Sequence, residues 1–305
     1  MILLRIITLS IHLLLMNLAS VGPLLAVWLD VRATRRQSPE ISKIGQKIGW
    51  WSVAALIVGI LVGLIQGLLI WMEGNPQYFE ALDGLWASKV TFGFWEIGFS
   101  LICTGGYLAW WKYGSRAALW QRLLSRFLAI LSATNLLYHF PTLFTILGLI
   151  ARGEVSVDAP VDSGEFRTLL IQGEVIWFTL HFWFASFAVS GMVAGMIALA
   201  KLPEDQREGT AGAAFTIALI ATLLQIPVGF VLTTTLNSTQ QSRLMGEDPV
   251  CTAMFAVSLF LALWLMHLLA SLAFFDRSWR KVYMASATLG GTILLMTATM
   301  LLSRG

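Results

Sequence analysis

Residues 50–72 read WWSVAALIVGILVGLIQGLLIWM, 23 residues with no charge and one amide, Gln66. At 1.5 Å per residue a helix of that length covers roughly 34 Å, enough to cross the hydrocarbon core of a bilayer. Working outward, comparable apolar runs occupy residues 3–29, 86–111, 127–151, 168–200, 212–235, 249–275 and 282–302. The sequence thus predicts an all-α protein, a polytopic transmembrane helix bundle of about eight spans with little chain left over. The composition agrees: 57% of the residues are hydrophobic and 12% charged, and the mean hydropathy is +0.75, outside the range of soluble domains. The first run stays apolar to Asp30 without a convincing cleavage site, so it is read as a retained helix.

Basic residues set the orientation. Arg32, Arg35, Arg36, Lys43, Lys47, Lys112, Arg116, Arg122, Arg126, Lys201, Arg207, Arg277, Arg280 and Lys281, 14 of the 20, follow the odd-numbered helices. By the positive-inside rule those loops face the cytoplasm. The other side carries Glu73, Glu80, Asp83, Glu154, Asp158, Asp162, Glu165, Glu247 and Asp248, which puts both termini on the outer side. The formal charge of +3 therefore reports topology and gives no reason to expect nucleic-acid binding. No linker interrupts the helices, and residues 1–305 read as a single membrane domain. Cys103 and Cys251 form no metal or redox spacing and read as small core residues. Gly59, Gly63 and Gly67, like Gly191 and Gly195, follow the small-xxx-small pattern of close helix packing. Pro23, Pro141 and Pro227 fall inside spans, where kinks can open room for a bulky group.

Polar side chains inside the spans carry the chemistry. All four histidines, His12, His139, His181 and His267, lie in apolar runs, where imidazole is costly and usually functional. Neutral imidazole is also a common ligand of heme iron. His181 stands in Leu180-His181-Phe182-Trp183-Phe184, followed by Ala185, Ser186, Ala188, Ser190 and Gly191, the small residues that a flat macrocycle against a helix requires. The alternative for His181 is a hydrogen bond to a neighbouring helix. Counting from Glu174, His181 lies roughly 10 Å deep, and Met254, counted from Asp248, roughly 9 Å. Depth therefore pairs His181 with Met254 in preference to His267, roughly 20 Å further down the same helix. Met254 alone would read as core filler.

His12 can ligate a second heme or hydrogen-bond to Asn17 or a neighbouring helix. Glu96, near mid-membrane, is a candidate proton relay. His139 lies near the bilayer centre, where a structural hydrogen bond and ligation are both open. His267 has no partner at its depth other than His139.

The order of these motifs resembles subunit I of the cytochrome bd-type quinol oxidases. His12 and the Leu-rich sequence up to Gly22 resemble that family's first helix. Phe94-Trp95-Glu96 through Gly105, with Trp110-Trp111-Lys112-Tyr113-Gly114-Ser115-Arg116, resembles its third, and Ala133-Thr134-Asn135-Leu136 the start of its fourth. Leu180-His181 through Lys201 resembles the fifth, whose histidine ligates a low-spin heme b, and Ala253-Met254-Phe255 the segment with the methionine opposite it. Gln241-Ser242-Arg243-Leu244-Met245-Gly246-Glu247 is similar to the start of the quinol-binding loop, with Arg243 and Glu247 nearest the quinol-contacting pair. The resemblance implies heme b at His181 and Met254, a second heme at His12, quinol as substrate and a subunit II-like partner. It also implies a respiratory complex in a bacterial inner membrane, fed by the quinone pool.

Departures narrow the expectation. Thr252 stands where the family has an arginine two residues before the methionine, and Ser88 where it has a second glutamate. The high-spin-heme glutamate and a Gly-Arg-Gln-Pro-Trp segment do not occur between Lys281 and Gly305. The outer loop is shortened and a ninth helix is missing. The expected function is a shortened, heme-binding electron-transfer subunit. The alternatives are a structural or relay subunit with few or no hemes and, disfavoured by the lack of an inverted repeat, a transporter.

Overall fold

A computed structural model describes residues 1–113, 118–155 and 161–304. Gly114, Ser115 and Arg116, part of the third-helix motif, and Asp158 lie outside the described residues. The elements are α1 (Ile2–Arg36), α2 (Pro39–Met72), α3 (Pro76–Leu85), α4 (Thr91–Tyr113), α5 (Leu119–Ala151), α6 (Ser163–Leu170), α7 (Gly173–Lys201), α8 (Glu204–Thr235), α9 (Ser238–Ser242), α10 (Pro249–Phe274) and α11 (Trp279–Ser303). Among the described residues there is no strand.

Seven helices are long and apolar enough to cross a membrane: α1, α2, α5, α7, α8, α10 and α11. The eighth crossing, expected over residues 86–111, is α4, entered through a π-helical turn at Trp86–Val90. Ion pairs show that it must cross. Arg5, near the start of α1, meets Glu73 at the end of α2, whereas Arg126, near the start of α5, bonds Asp30 near the end of α1 at 2.6 Å. The chain between Glu73 and Leu119 therefore changes face, and among the described residues α4 is its only long helix. Within its span α4 carries Glu96 and four glycines, Gly93, Gly98, Gly105 and Gly106.

Helix ends differ from the apolar runs for physical reasons. The first two helices continue past the hydrocarbon, to Arg36 and back to Pro39, because their ends are polar and project into water. Between them Gln37 turns the chain with a left-handed backbone (φ 51°), and Ser38 caps α2 ahead of Pro39. The run at 168–200 is split: α6 stops at Leu170 and α7 starts afresh after Gln172.

Long antiparallel pairs, α1 with α2, α4 with α5, α7 with α8 and α10 with α11, pack around α1, which also touches α5, α7 and α11. Small residues set the closest approach. A Cβ on Gly191 of α7 would stand 2.9 Å from both Ala214 O and Ala218 N, so here two helix backbones touch. Val21, Leu25 and Leu29 of α1, Ile48 of α2, Met192 of α7 and Phe215 of α8 fill the centre. Large apolar side chains such as Leu61, Leu64 and Leu68 point outward, as a lipid-facing helix surface requires.

Candidate functional site

His181 faces a cavity of about 260 Å³ bounded by α1, α7, α8, α10 and α11. On α7 the wall is Phe178, His181, Phe182 and Ala185, a stripe at i, i+3, i+4 and i+7 on one helix face. Opposite stand Gln225 and Gly229 of α8, one turn apart. A Cβ on Gly229 would lie 3.5 Å from His181 Cε1 and 3.6 Å from Nδ1, so α8 packs onto the imidazole ring through a residue without a side chain. The Nδ1 atom of His181 is buried and makes no hydrogen bond of good geometry, the backbone of Gln225 being near enough to interact with the imidazole only weakly. Asn17 of α1 also lines the cavity, its Oδ1 accepting from Ser186 Oγ at 2.9 Å.

The mouth of the cavity is charged. Arg304, at the end of α11, lines it and donates to Glu174 Oε1 at 3.0 Å. The same oxygen accepts from Arg152 Nη2 at 3.1 Å, and Arg152 also pairs with Glu154. Glu154 accepts from Asn237 at 3.0 Å and from Gln240 at 3.3 Å. Burial, reinforced by the neighbouring Arg152 charge, pulls the Arg304 guanidinium down to about 10, against the opposing pull of Glu174 and Glu154. The cluster holds two cations and two carboxylates and is neutral as a set.

Met254 is half-buried but does not line this cavity. The α10 stripe that does is Phe255, Leu259 and Ala262, and a residue one position away is turned by about 100° around the helix. The methionines on the wall are Met296 and Met300 of α11, a pair four residues apart on one face that the same spacing rule could have found in the sequence.

His12 packs between α1 and α2. Its Nδ1 lies 2.8 Å from Gly59 O, so that nitrogen carries the proton and donates, leaving the Nε2 lone pair free. A Cβ on Gly63 would meet the ring at 2.9 Å. Of the partners weighed for His12, the neighbouring helix is the one used, and Asn17 is engaged with Ser186.

Glu96 and His139 come together on α4 and α5, with Oε1 and Nε2 3.9 Å apart. Phe92 and Tyr138 enclose the imidazole edge-on at 5.4 and 5.0 Å. A seam of polar groups leads from Glu96 toward the basic face. Asn135 Nδ2 donates to Glu96 O and to Ser100 Oγ, both at 2.9 Å. Ser132 Oγ donates to Ser100 O at 3.0 Å, and Thr104 Oγ1 donates to Ser132 Oγ at 2.7 Å. His267, by contrast, is on the outer surface of α10 and stacks against Trp264 at 5.4 Å.

Arg243 and Glu247 lie in the turn between α9 and α10 that covers the cavity mouth, where Leu244 reaches the cavity. Arg243 Nη1 donates to the last carbonyls of α11, Leu302 O and Ser303 O, each at 3.4 Å. Glu247 is exposed and accepts from Ser242 Oγ. Thr252, at the position expected for arginine, donates to Arg243 O at 3.1 Å. Among the described residues no group of three or more His, Cys, Asp or Glu side chains could hold a metal ion.

No family model matches this sequence. A search of curated proteins finds no match either. Among solved structures, the fold is similar to that of the bd oxidase from Geobacillus thermodenitrificans, with a TM-score of 0.71 and 13% identity over 99% of this chain and 84% of that one. At that identity the likeness is one of fold. The chain is an integral membrane protein, a helical bundle with a bd-oxidase-like fold.

Proposed function

We propose that this chain is a heme-binding membrane subunit of a respiratory electron-transfer complex, related to the quinol-oxidising subunit of bd-type oxidases. The observation that carries the reading is the His181 imidazole, buried in an apolar cavity, its Nδ1 without a partner in good hydrogen-bond geometry. A buried polar atom without a partner is costly, and ligation of an iron relieves that cost. Ala185 offers a small surface of the kind a flat ring needs, and Phe178 and Phe182 its apolar walls. The cavity, about 260 Å³, lies just below the range of roughly 300–1,000 Å³ usual for ligand sites, so a macrocycle requires wall side chains such as Phe255 and Met300 to rotate aside.

Heme b, when bound, supplies one-electron chemistry, and His181 is the residue that holds it. Met254, expected from the sequence, and Met296 and Met300, which line the cavity, are the methionines that could help hold it. His12, its Nδ1 committed to Gly59 O, would hold a second heme through Nε2. Arg243 and Glu247 are the expected quinol contacts at the acidic face; Glu247, exposed, is placed to take a proton released there. Glu96 is the expected proton relay, with His139 Nε2 3.9 Å from its carboxylate. A second subunit of the bd type and the quinone pool complete the assembly, in a bacterial inner membrane.

A second reading, a structural or relay subunit with few or no hemes, is favoured by the position of Met254 off the cavity wall. A reduced-minus-oxidised spectrum of the purified chain with a pyridine hemochrome assay separates the two. Heme b is expected in the wild type, with the low-spin signal lost in His181→Ala and kept in His267→Ala. A heme-free wild type overturns the proposal.

A further inference from the structure

The basic face carries a second cavity, of about 420 Å³, which takes no part in the electron-transfer site. It lies where the ends of α1 and α4 meet the starts of α2 and α5. Tyr107 of α4 is 2% exposed, lines the cavity, and its hydroxyl has no hydrogen-bond partner. Trp110, one turn beyond on the same helix, lines it too, and its buried Nε1–H is likewise unpartnered. The carboxylate of Asp30 is already taken, since Arg126 Nε donates to it at 2.6 Å. Arg122, exposed on α5, lines the cavity and makes no ion pair among the described residues. The start of the 34-residue α2, with its Ser38 cap, also opens onto the cavity and adds the positive end of a helix dipole.

Every uncommitted polar group here can donate, and with Asp30 neutralised by Arg126 the surplus charge is that of Arg122. The matching ligand is an anion rich in acceptor oxygens. We propose that this cavity binds the phosphate group of an anionic phospholipid from the leaflet on the basic face. The depth favours a lipid over a free phosphate. Asp30 lies six residues, roughly 9 Å, before the end of α1, at the level where headgroups meet water. Beside Arg122, the side chains of Leu119, Trp120 and Leu123 are exposed and offer an apolar surface for acyl chains. Basic pockets between transmembrane helices on the cytoplasmic side recognise anionic headgroups in this way.

Native mass spectrometry of the full chain released from detergent, titrated with phosphatidylglycerol, phosphatidylcholine or inorganic phosphate, tests the proposal. Phosphatidylglycerol is expected to bind at least tenfold more tightly than phosphatidylcholine. Arg122→Gln, a surface change that leaves the core intact, is expected to weaken phosphatidylglycerol about tenfold, with partial rescue in Arg122→Lys. Tyr107→Phe, which removes one oxygen, is expected to weaken it severalfold. Equal binding of the two lipids, or wild-type affinity in both Arg122→Gln and Tyr107→Phe, overturns the site. Inorganic phosphate bound as tightly as phosphatidylglycerol overturns the lipid as its occupant. None of these readouts depends on heme, so the result stands apart from the fate of His181.

Discussion

Gly63→Ala is the sharpest test of how His12 is held. The added methyl would stand 2.9 Å from Cε1 and 3.1 Å from Nδ1 of His12. Carbon atoms in contact prefer about 3.5 Å or more, so the ring must withdraw from α2 by roughly 0.6 Å. The Nδ1–Gly59 O bond, 2.8 Å long, then stretches to roughly 3.4 Å, past normal hydrogen-bond length. Overpacking contributes about 1–3 kcal/mol and the lost bond about 0.5–1.5 kcal/mol, against a gain of about 0.5–1 kcal/mol from alanine's helix propensity. Gly67→Ala, one turn along the same helix, is the internal control, because nothing lies within 4 Å of a Cβ there. The propensity gain cancels between the two variants, leaving a predicted gap of about 1.5–4.5 kcal/mol. Unfolding in mixed micelles with an increasing fraction of sodium dodecyl sulfate measures that gap. A gap under about 0.5 kcal/mol would mean that His12 is not wedged between Gly59 and Gly63, and the tautomer argument would fall with it.

Three further perturbations follow from the same geometry. Gly191→Ala places a methyl 2.9 Å from two backbone atoms of α8; no side chain can swing aside, so the loss in the same titration should reach about 3 kcal/mol. Glu174→Gln leaves Arg304 and Arg152 sharing a neutral oxygen in place of a carboxylate; stability should fall by about 3 kcal/mol, and an unchanged midpoint would show that the mouth cluster is not a structural unit. The Cys251 N–H, helped by that of Val250, holds the Asp248 carboxylate below its usual 3.8 against partial desolvation. A lowered carboxylate stabilises the fold above that pH and loses its contribution as pH falls through the folded value. Asp248→Ala should therefore flatten the stability–pH curve below about pH 4, and an unaltered acid limb would refute the cap's role.

The crossings were legible because run length and hydropathy act locally, residue by residue. The segment at 86–111 was read as a span from the sequence, and Arg5–Glu73 with Asp30–Arg126 requires its crossing from the structure. His181 was legible for a related reason: one imidazole among phenylalanines stands out at any orientation of the helix. Its opposite ligand did not follow so directly. Depth along a helix can be counted from its polar end, but which way a residue faces depends on how the helix is rotated against its neighbours. Met254 has the right depth, yet Phe255 takes the position on the cavity wall, and the wall's own methionines lie on α11. In the sequence the glycines of α2 form a packing stripe. Gly63 proves to be the floor under an imidazole, while Gly67 meets nothing, because the spacing shows a small face without showing what lies against it.

The same distinction between sequence position and position in space governs the missing arginine at Thr252. The guanidinium that lines the cavity comes from α11, as Arg304. Its setting differs from that of a free guanidinium, because Arg304 shares Glu174 Oε1 with Arg152 and the four-residue cluster is neutral. An anionic group entering the cavity would have to compete with Glu174 for Arg304, while Arg152 keeps Glu174 paired throughout. The carboxylate is therefore never left buried without a cation, the outcome that makes breaking an ordinary buried ion pair so costly. Glu174 stays in place, so an anion entering this mouth would turn a neutral cluster net negative, and the mouth as built favours a neutral occupant over an anionic one.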